Sequence, residues 1–421
     1  MQPVKRPSDY SFRMQDCLLG AQTLFIAFGA LVMVPLLTGL NPSVALFTAG
    51  VGTLIFQVLT RGQVPAFLGS SFAFLPATIY GIQEWGLSAT LFGLAVGGVM
   101  YFIMSALVYW KGQNFIGKIL PAIVTGPVIM SIGLVLAPVA INMAMGRTGD
   151  GSIELFPENQ AIIVAVIALS ATIITRLFAK GWLQLLPILI GVVVGFIASL
   201  FFGMPNLTAI TAAKWFQIPA FTTPTVNWSA VLLIAPIAAV SAIEHIGDVI
   251  AIGAITKRNY VQYPGLHRSL LGDGIATIFA SCIGGPPNTT YSEVTAGVAL
   301  TKTYNPGIMT WACFVAIALA FIGKVSAVLQ CIPPPVMGGI LILLFGAITV
   351  TGLNLLVEGK ADLMKPRNMT IVGIILIIPV GGMSIGLGNF AIEGIGLGGV
   401  IGVLLNAFLP QDKSEPEAAE I

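Results

Sequence analysis

The sequence predicts an all-α polytopic membrane protein of fourteen transmembrane segments, on three observations. Of its 421 residues 56% are hydrophobic and only 9% are charged, with a mean hydropathy of +0.95, whereas soluble domains carry about 25% charged residues. The apolar residues gather into fourteen runs, most of them near the ~20 residues that cross a bilayer. When those runs are threaded alternately, the basic residues fall largely on one side. The same composition excludes a disordered chain, collagen, a coiled coil and a disulfide-stapled secreted domain.

The opening stretch MQPVKRPSDYSFRMQD is polar and basic, and the first apolar run continues from Cys17 past Leu37. That run is too long for a signal-peptide core and lacks a small-residue cleavage site, so it reads as a first span with a basic flank. Continuous runs follow the pattern 17–38, 43–60, 87–110, 118–143, 160–178, 181–203, 229–255, 307–330, 335–357 and 368–383. Weaker runs, broken by Gly, Pro, Ser or Thr, lie at 64–83, 269–284, 286–301 and 394–410. With the N-terminus inside, sixteen of the nineteen Lys and Arg residues are cytoplasmic and only Arg147, Lys214 and Lys324 are outside. A wrong span count would scramble this bias, and both termini are expected in the cytoplasm. The tail QDKSEPEAAEI is short and acidic, and disorder is expected there.

The net charge of +2 comes from scattered basic residues, which points to no nucleic-acid partner. Cys17, Cys282, Cys313 and Cys331 sit in apolar stretches without metal-ligand spacing, so they read as small core residues and no metal or cofactor is expected.

Two segments interrupt the helical pattern most strongly. One is VPAFLGSSFAFLPA, Val64 to Ala77, in the third candidate span. The other is GGPPNTTYSEVTAGVA, Gly284 to Ala299, in the third span of the second set of seven. Irregular backbone at membrane depth is tolerated only where protein or a watery cavity satisfies it. Interruptions at matching positions of two halves point to a transporter binding site at a repeat interface. Simple Pro/Gly kinks are the plainer alternative.

Acids inside spans are costly and are functional candidates by default. Glu244, His245 and Asp248 lie mid-span in IAAVSAIEHIGDVIAIGAI, and Glu293 lies in the second interruption. Glu244 and Asp248 are four apart and share one helix face, while His245 points elsewhere. Two carboxyls so placed in a low dielectric repel, so at least one is expected to hold a proton near neutral pH. A proton-coupled carrier needs such a carboxyl; a hydrogen-bonded packing role is the plainer reading, and His245 reads first as a packing imidazole. Asp273 sits in SLLGDGIATIF, near the expected cytoplasmic end of its span, and reads as structural. Phe72 could stack on a flat ligand from its unwound segment. Arg and Lys are absent from the expected membrane centre, so a neutral ligand with N–H donors suits these carboxylates better than an anion.

At these residues the chain resembles the nucleobase/ascorbate transporter family, and within it the bacterial uracil permeases. The likeness runs from Tyr10 to Pro410. It is carried by FGALVMVP (Phe28–Pro35), LGSSFAF (Leu68–Phe74), EHIGDV (Glu244–Val249), GLHRSLLGDG (Gly265–Gly274), GGPPNTTYSE (Gly284–Glu293) and PPPVMGG (Pro333–Gly339). The resemblance implies two inverted repeats of seven segments, 1–212 and 213–421, with short strands in segments three and ten. It implies a core domain over 14–112 and 228–331, and a gate domain over 113–212 and 332–410 that mediates homodimerisation. Glu244 and Glu293 match the family's substrate-binding glutamates, Phe72 its stacking aromatic, and Ala30, Tyr291 and Ser292 positions that line the site. Asp248 stands where some uracil permeases have a histidine implicated in proton coupling and other members an aspartate.

Three departures fall in segment ten: Val294 and Ala296 replace the family's Asn and Gly, and Ser292 stands where uracil permeases have glycine. Glu293, where purine carriers often have Gln, looks more like the pyrimidine carriers. The expectation is a multi-pass inner-membrane importer of uracil with a proton as coupling ion, not an enzyme. The rivals are a purine carrier driven by protons or sodium, an anion exchanger on the same architecture, and an intramembrane aspartyl protease using Asp248 and Asp273.

Overall fold

The computed structural model describes residues 8–112, 121–387 and 390–410; the side chains of Ala30 and of 384–393 lie outside that description, as do the acidic tail and the first seven residues. Helix α1 (Cys17–Thr38) ends where Gly39 takes φ +76°, a left-handed turn that glycine adopts without strain. Helix α2 (Pro42–Leu59) starts at once, because Asn41 accepts from the N–H groups of Ser43 and Val44 while Pro42 occupies a position needing no donor. The chain then leaves helix for strand β1 (Leu68–Ser70), a single 3-10 turn at Phe72–Phe74, and α3 (Leu75–Trp85). Helices α4 (Leu87–Lys111), α5 (Ala122–Ala144), α6 (Glu158–Phe178) and α7 (Pro187–Phe201) follow, with a short α8 (Leu207–Ala212).

The second half runs through α9 (Trp228–Ile234) and α10 (Ile237–Thr256), one apolar rod interrupted at Pro236, where the ring removes a backbone donor. Helix α11 (Leu266–Cys282), strand β2 (Asn288–Thr290), α12 (Ser292–Thr301) and α13 (Pro306–Ala320) come next. The chain closes with α14 (Gly323–Gln330), α15 (Pro334–Glu358), α16 (Pro366–Val380), a hairpin of β3 (Ser384–Leu387) and β4 (Phe390–Glu393), and α17 (Gly394–Phe408). Among the described residues seven helices, α9 and α10 counted together, are long and apolar enough to cross a membrane, and four shorter apolar helices accompany them.

Three local expectations are corrected. The apolar run 307–330 breaks at Phe321–Ile322 into α13 and α14; both residues are apolar, so hydropathy is blind to the bend. The β3–β4 hairpin before α17 was not foreseen. Cys282, at the end of α11, is exposed rather than part of the core, while Cys313 is buried.

The helices pack in two groups. Helices α1 to α4 and α9 to α13 pack with one another, and α5, α6, α7, α15, α16 and α17 form the second group. Each group holds a crossing where glycine lets backbones touch. A Cβ on Gly98 of α4 or Gly274 of α11 would stand 2.9 Å from the other's carbonyl, and Gly126 of α5 and Gly352 of α15 face each other at 2.8 and 2.5 Å. Small residues at such crossings are the usual device of membrane helices.

At the heart of the first group, β1 and β2 form a two-stranded antiparallel sheet with Leu68 opposite Thr290, Gly69 opposite Thr289 and Ser70 opposite Asn288. All six residues are buried. A two-stranded ribbon has two open edges, and here each is closed by a threonine hydroxyl. Thr53 of α2 accepts from the Leu68 N–H at 2.8 Å and donates to its carbonyl at 3.4 Å. Thr277 of α11 accepts from the Asn288 N–H at 3.2 Å and donates to its carbonyl at 2.9 Å. Both threonines are fully buried. Replacing either by Val keeps the shape and strands one amide and one carbonyl, at about 1–3 kcal/mol for each lost partner. Thr53→Val and Thr277→Val are therefore expected to lower the unfolding midpoint of the detergent-solubilised protein, and an unchanged midpoint would contradict the edge-capping role.

Candidate functional site

Where the two strands end, the chain returns to helix. Beyond β1 the 3-10 turn leads into α3, and beyond β2 Tyr291 is the residue from which α12 begins. The first N–H groups of a helix have no intrahelical acceptor and carry the positive end of the macrodipole. Helix α10 lies against this junction, packing on the Phe72–Phe74 turn, on β2 and on α12.

Exposure inside this region is uneven. Glu244 is set deep among the helices, yet its side chain is accessible, as is that of Ser292; Phe72 and Glu293 are half-buried. Gly247, one turn beyond Glu244, has open space where a Cβ would be. These residues come from α10, the Phe72–Phe74 turn and the start of α12, and α10 packs on both of the others. The carboxyls of Asp248, Glu293 and Asp273 are close enough to Glu244 to act on it electrostatically. Two acids, an aromatic ring and a helix N-terminus are thus brought to neighbouring elements without being fully covered.

Asp248 is buried on the same helix, and the Ser292 hydroxyl donates to its Oδ1 at 2.6 Å. That bond ties α10 to the first residue of α12. Tyr291 is buried with its ring against Gly69, where a Cβ would come within 2.5 Å, and its hydroxyl donates to the Ser70 carbonyl at 2.9 Å. It braces β1 from behind. Ala30 lies on α1, with its side chain outside the described residues; its neighbour Leu31 accepts from the Ser70 hydroxyl at 3.2 Å, which brings α1 alongside β1. Val294, the position where the resemblance leads one to expect Asn, is 1% exposed and packs in the core, whereas Ala296 is exposed.

His245 faces away from Glu244, as the helical spacing implies, and is fully buried against α11. Its Nδ1 lies 2.9 Å from Asp273 Oδ2, which also accepts from the Thr289 hydroxyl at 3.1 Å. Asp273 was expected near the cytoplasmic end of its span; instead it stands level with His245 and wholly buried. The expectation failed because the helix begins at Leu266, ahead of the apolar run, which sets Asp273 at its middle. Sequence reasoning also passed over Tyr101, whose hydroxyl lies beside Asp273 and Ser241, and over the bond between the Ser71 and Ser241 hydroxyls at 3.1 Å. Polar side chains inside apolar runs were the available signal. Among the described residues no group of three or more His, Cys, Asp or Glu is placed to hold a metal ion.

Removing one member of a buried hydrogen-bonded pair leaves the other unsatisfied, at about 1–3 kcal/mol. Asp273→Ala is expected to lower the unfolding midpoint more than the double variant His245→Phe/Asp273→Leu does. The reverse order would show that the pair is incidental to the fold.

The comparisons agree on one family. The model of a permease family that takes its name from xanthine and uracil matches residues 14–386. The chain is 48% identical to a probable uracil permease of Pasteurella multocida (strain Pm70) over 402 residues, covering 96% of this chain and 95% of that one. It is 42% identical to a uracil permease of Bacillus caldolyticus, covering 96% of this chain and 93% of that one. Among solved structures it is similar to the transmembrane domain of a cyanobacterium bicarbonate transporter, BicA, with a TM-score of 0.66 at 13% identity, covering 95% of this chain and 99% of that one. At that identity the likeness is one of fold: a mostly helical membrane transporter. On the family match and the full-length relatives, the chain is a multi-pass membrane protein that belongs to the nucleobase/ascorbate transporter family of permeases.

Proposed function

We propose that this chain imports uracil across the inner membrane together with a proton. The observation that carries the reading is that Glu244 and Glu293, neither fully covered, lie close enough to act on one another, on the helix that packs against the Phe72–Phe74 turn and at the start of α12. The names of the full-length relatives support the same substrate. Uracil is flat, neutral and carries ring N–H donors and carbonyl acceptors. Its face would stack on Phe72. Its N–H groups would donate to the two glutamates, the stronger bond going to whichever carboxyl is ionised. The amide of Ser292, at the head of α12, would serve a carbonyl oxygen.

Proton coupling falls to Glu244 and Asp248. An uncompensated charge in the mobile part of a carrier resists passage through the bilayer, and a proton offsets it. Asp248 is held by Ser292 at the edge of the site, so a change at α12 on ligand binding reaches it directly. His245, buried against Asp273, would act through that pair rather than by touching substrate.

In this reading the fourteen segments form two inverted repeats, 1–212 and 213–421. The two strands in corresponding segments, each with a threonine from the preceding helical hairpin on its outer edge, support that symmetry. The first helix group, 14–112 with 228–331, is the core that carries substrate. The second, 113–212 with 332–410, is the gate through which two copies assemble. Both termini lie in the cytoplasm, as the distribution of Lys and Arg favours. A purine carrier on the same scaffold is the rival reading. The uracil permeases among the chain's relatives favour uracil over it.

The test is uptake of labelled uracil into cells lacking their own permease, with and without a protonophore and with excess unlabelled xanthine. Accumulation is expected to collapse with the protonophore and to ignore xanthine. Glu244→Gln and Glu293→Ala are each expected to cut uptake about tenfold or more, the loss of one hydrogen bond to a charged group. Normal accumulation by either variant would sink the site assignment, and competition by xanthine would move the substrate to the purines.

A further inference from the structure

Between the two helix groups lies a cavity of about 230 Å³ that the site does not use. Its wall is aliphatic almost throughout, with Val128 of α5, Ile237, Val240 and Ile243 of α10, and Gly399 and Leu404 of α17 among its lining. Leu404, part of that lining, is 48% exposed on the apolar helix α17, so the cavity reaches a residue open to the surroundings of the helix bundle. Apolar cavities of roughly 150 Å³ or more stay dry and take up apolar guests. A wall with so few donors and acceptors offers a water molecule nothing to bond, and it offers a polar solute less. At membrane depth the apolar solute at hand is the hydrocarbon of the bilayer itself. The volume holds a stretch of alkyl chain and leaves no room for a headgroup, which would stay outside.

From this geometry we infer that an acyl chain of a membrane lipid inserts between the two helix groups and fills this cavity. Its position gives the chain leverage. Pro236, just ahead of α10, and Val240 and Ile243 within it fall on one stripe, and Ile243 is the residue before Glu244. The inserted chain therefore braces α10 from behind at the height of the candidate site. It also sits on the seam along which the two groups would slide.

The structure supplies a way to close the cavity without a clash. A Cβ on Gly399 would meet only Val128 Cγ2, at 4.0 Å, and Leu has a better helix propensity than Gly. Gly373 of α16 is equally open but faces outward, so Gly373→Leu is the control. The protein is reconstituted in vesicles of phosphatidylethanolamine and phosphatidylglycerol containing a phosphatidylcholine with a photoactivatable group on its acyl chain, and crosslinked residues are mapped by mass spectrometry. Wild-type protein and Gly373→Leu are expected to carry label on Val128 and Ile243 inside the cavity. Gly399→Leu is expected to lose that label several-fold while keeping it on outward residues such as Phe408. Val128→Leu, which narrows the cavity from the opposite wall, guards against a Gly399→Leu chain that does not assemble. Label confined to outward residues in the wild type, or cavity label unchanged in both filled variants, would overturn the inference. The readout does not involve uracil, so it stands or falls apart from the proposed function.

Discussion

A β-strand cannot be left with a bare edge in a place that water does not reach, and this fold is built around that constraint. The paired strands β1 and β2 are needed because an extended backbone brings two helices, α3 and α12, to start at the same point. The penalty for unpaired amides and carbonyls is then met by two threonines on α2 and α11. Everything nearby follows from holding that ribbon in place. Tyr291 leans on Gly69, Ser70 reaches α1, and Asn288 donates to the Thr48 carbonyl on α2 at 2.9 Å. The helix group is a clamp around six residues of sheet.

The clamp also decides what the site can be. Because β2 leads directly into α12, Ser292 and Glu293 are fixed by the register of the strand pair, and the Ser292 bond to Asp248 passes that registration on to α10. Glu244 and Asp248 share a helix face, yet one is accessible and the other buried and bonded. That difference comes from what α12 presents to each. Two acids of similar chemistry are thereby given different surroundings four residues apart.

Much of this was legible in the sequence, and the exceptions share a cause. The interruptions at Val64–Ala77 and Gly284–Ala299 announced themselves because Pro, Gly and Ser break an apolar period. Glu244 and Glu293 stood out because a carboxyl in a span is costly. Thr53 and Thr277 did not, since a threonine in an apolar run fits a lipid-facing helix as well as a strand edge. The partnership of His245 with Asp273 was hidden because it depends on how far α10 and α11 are shifted along each other. The bend at Phe321–Ile322 left no trace in hydropathy at all. Periodicity and polarity report on one helix at a time; pairings between helices are set by their relative placement.

The sheet joins residues about 220 positions apart in the chain. At the usual ribosomal pace that distance takes roughly 10 to 45 s to synthesise. For that interval β1 exists without β2, and its outer side is the only one that Thr53 can cover. The third segment therefore has no stable place in open lipid until the tenth has emerged. It must wait in the translocon, at the interface or in the shelter of α1 and α2. Biogenesis of this protein is thus obliged to treat its first half as unfinished, and a cell short of insertion factors would feel the loss here before it reached the long regular spans.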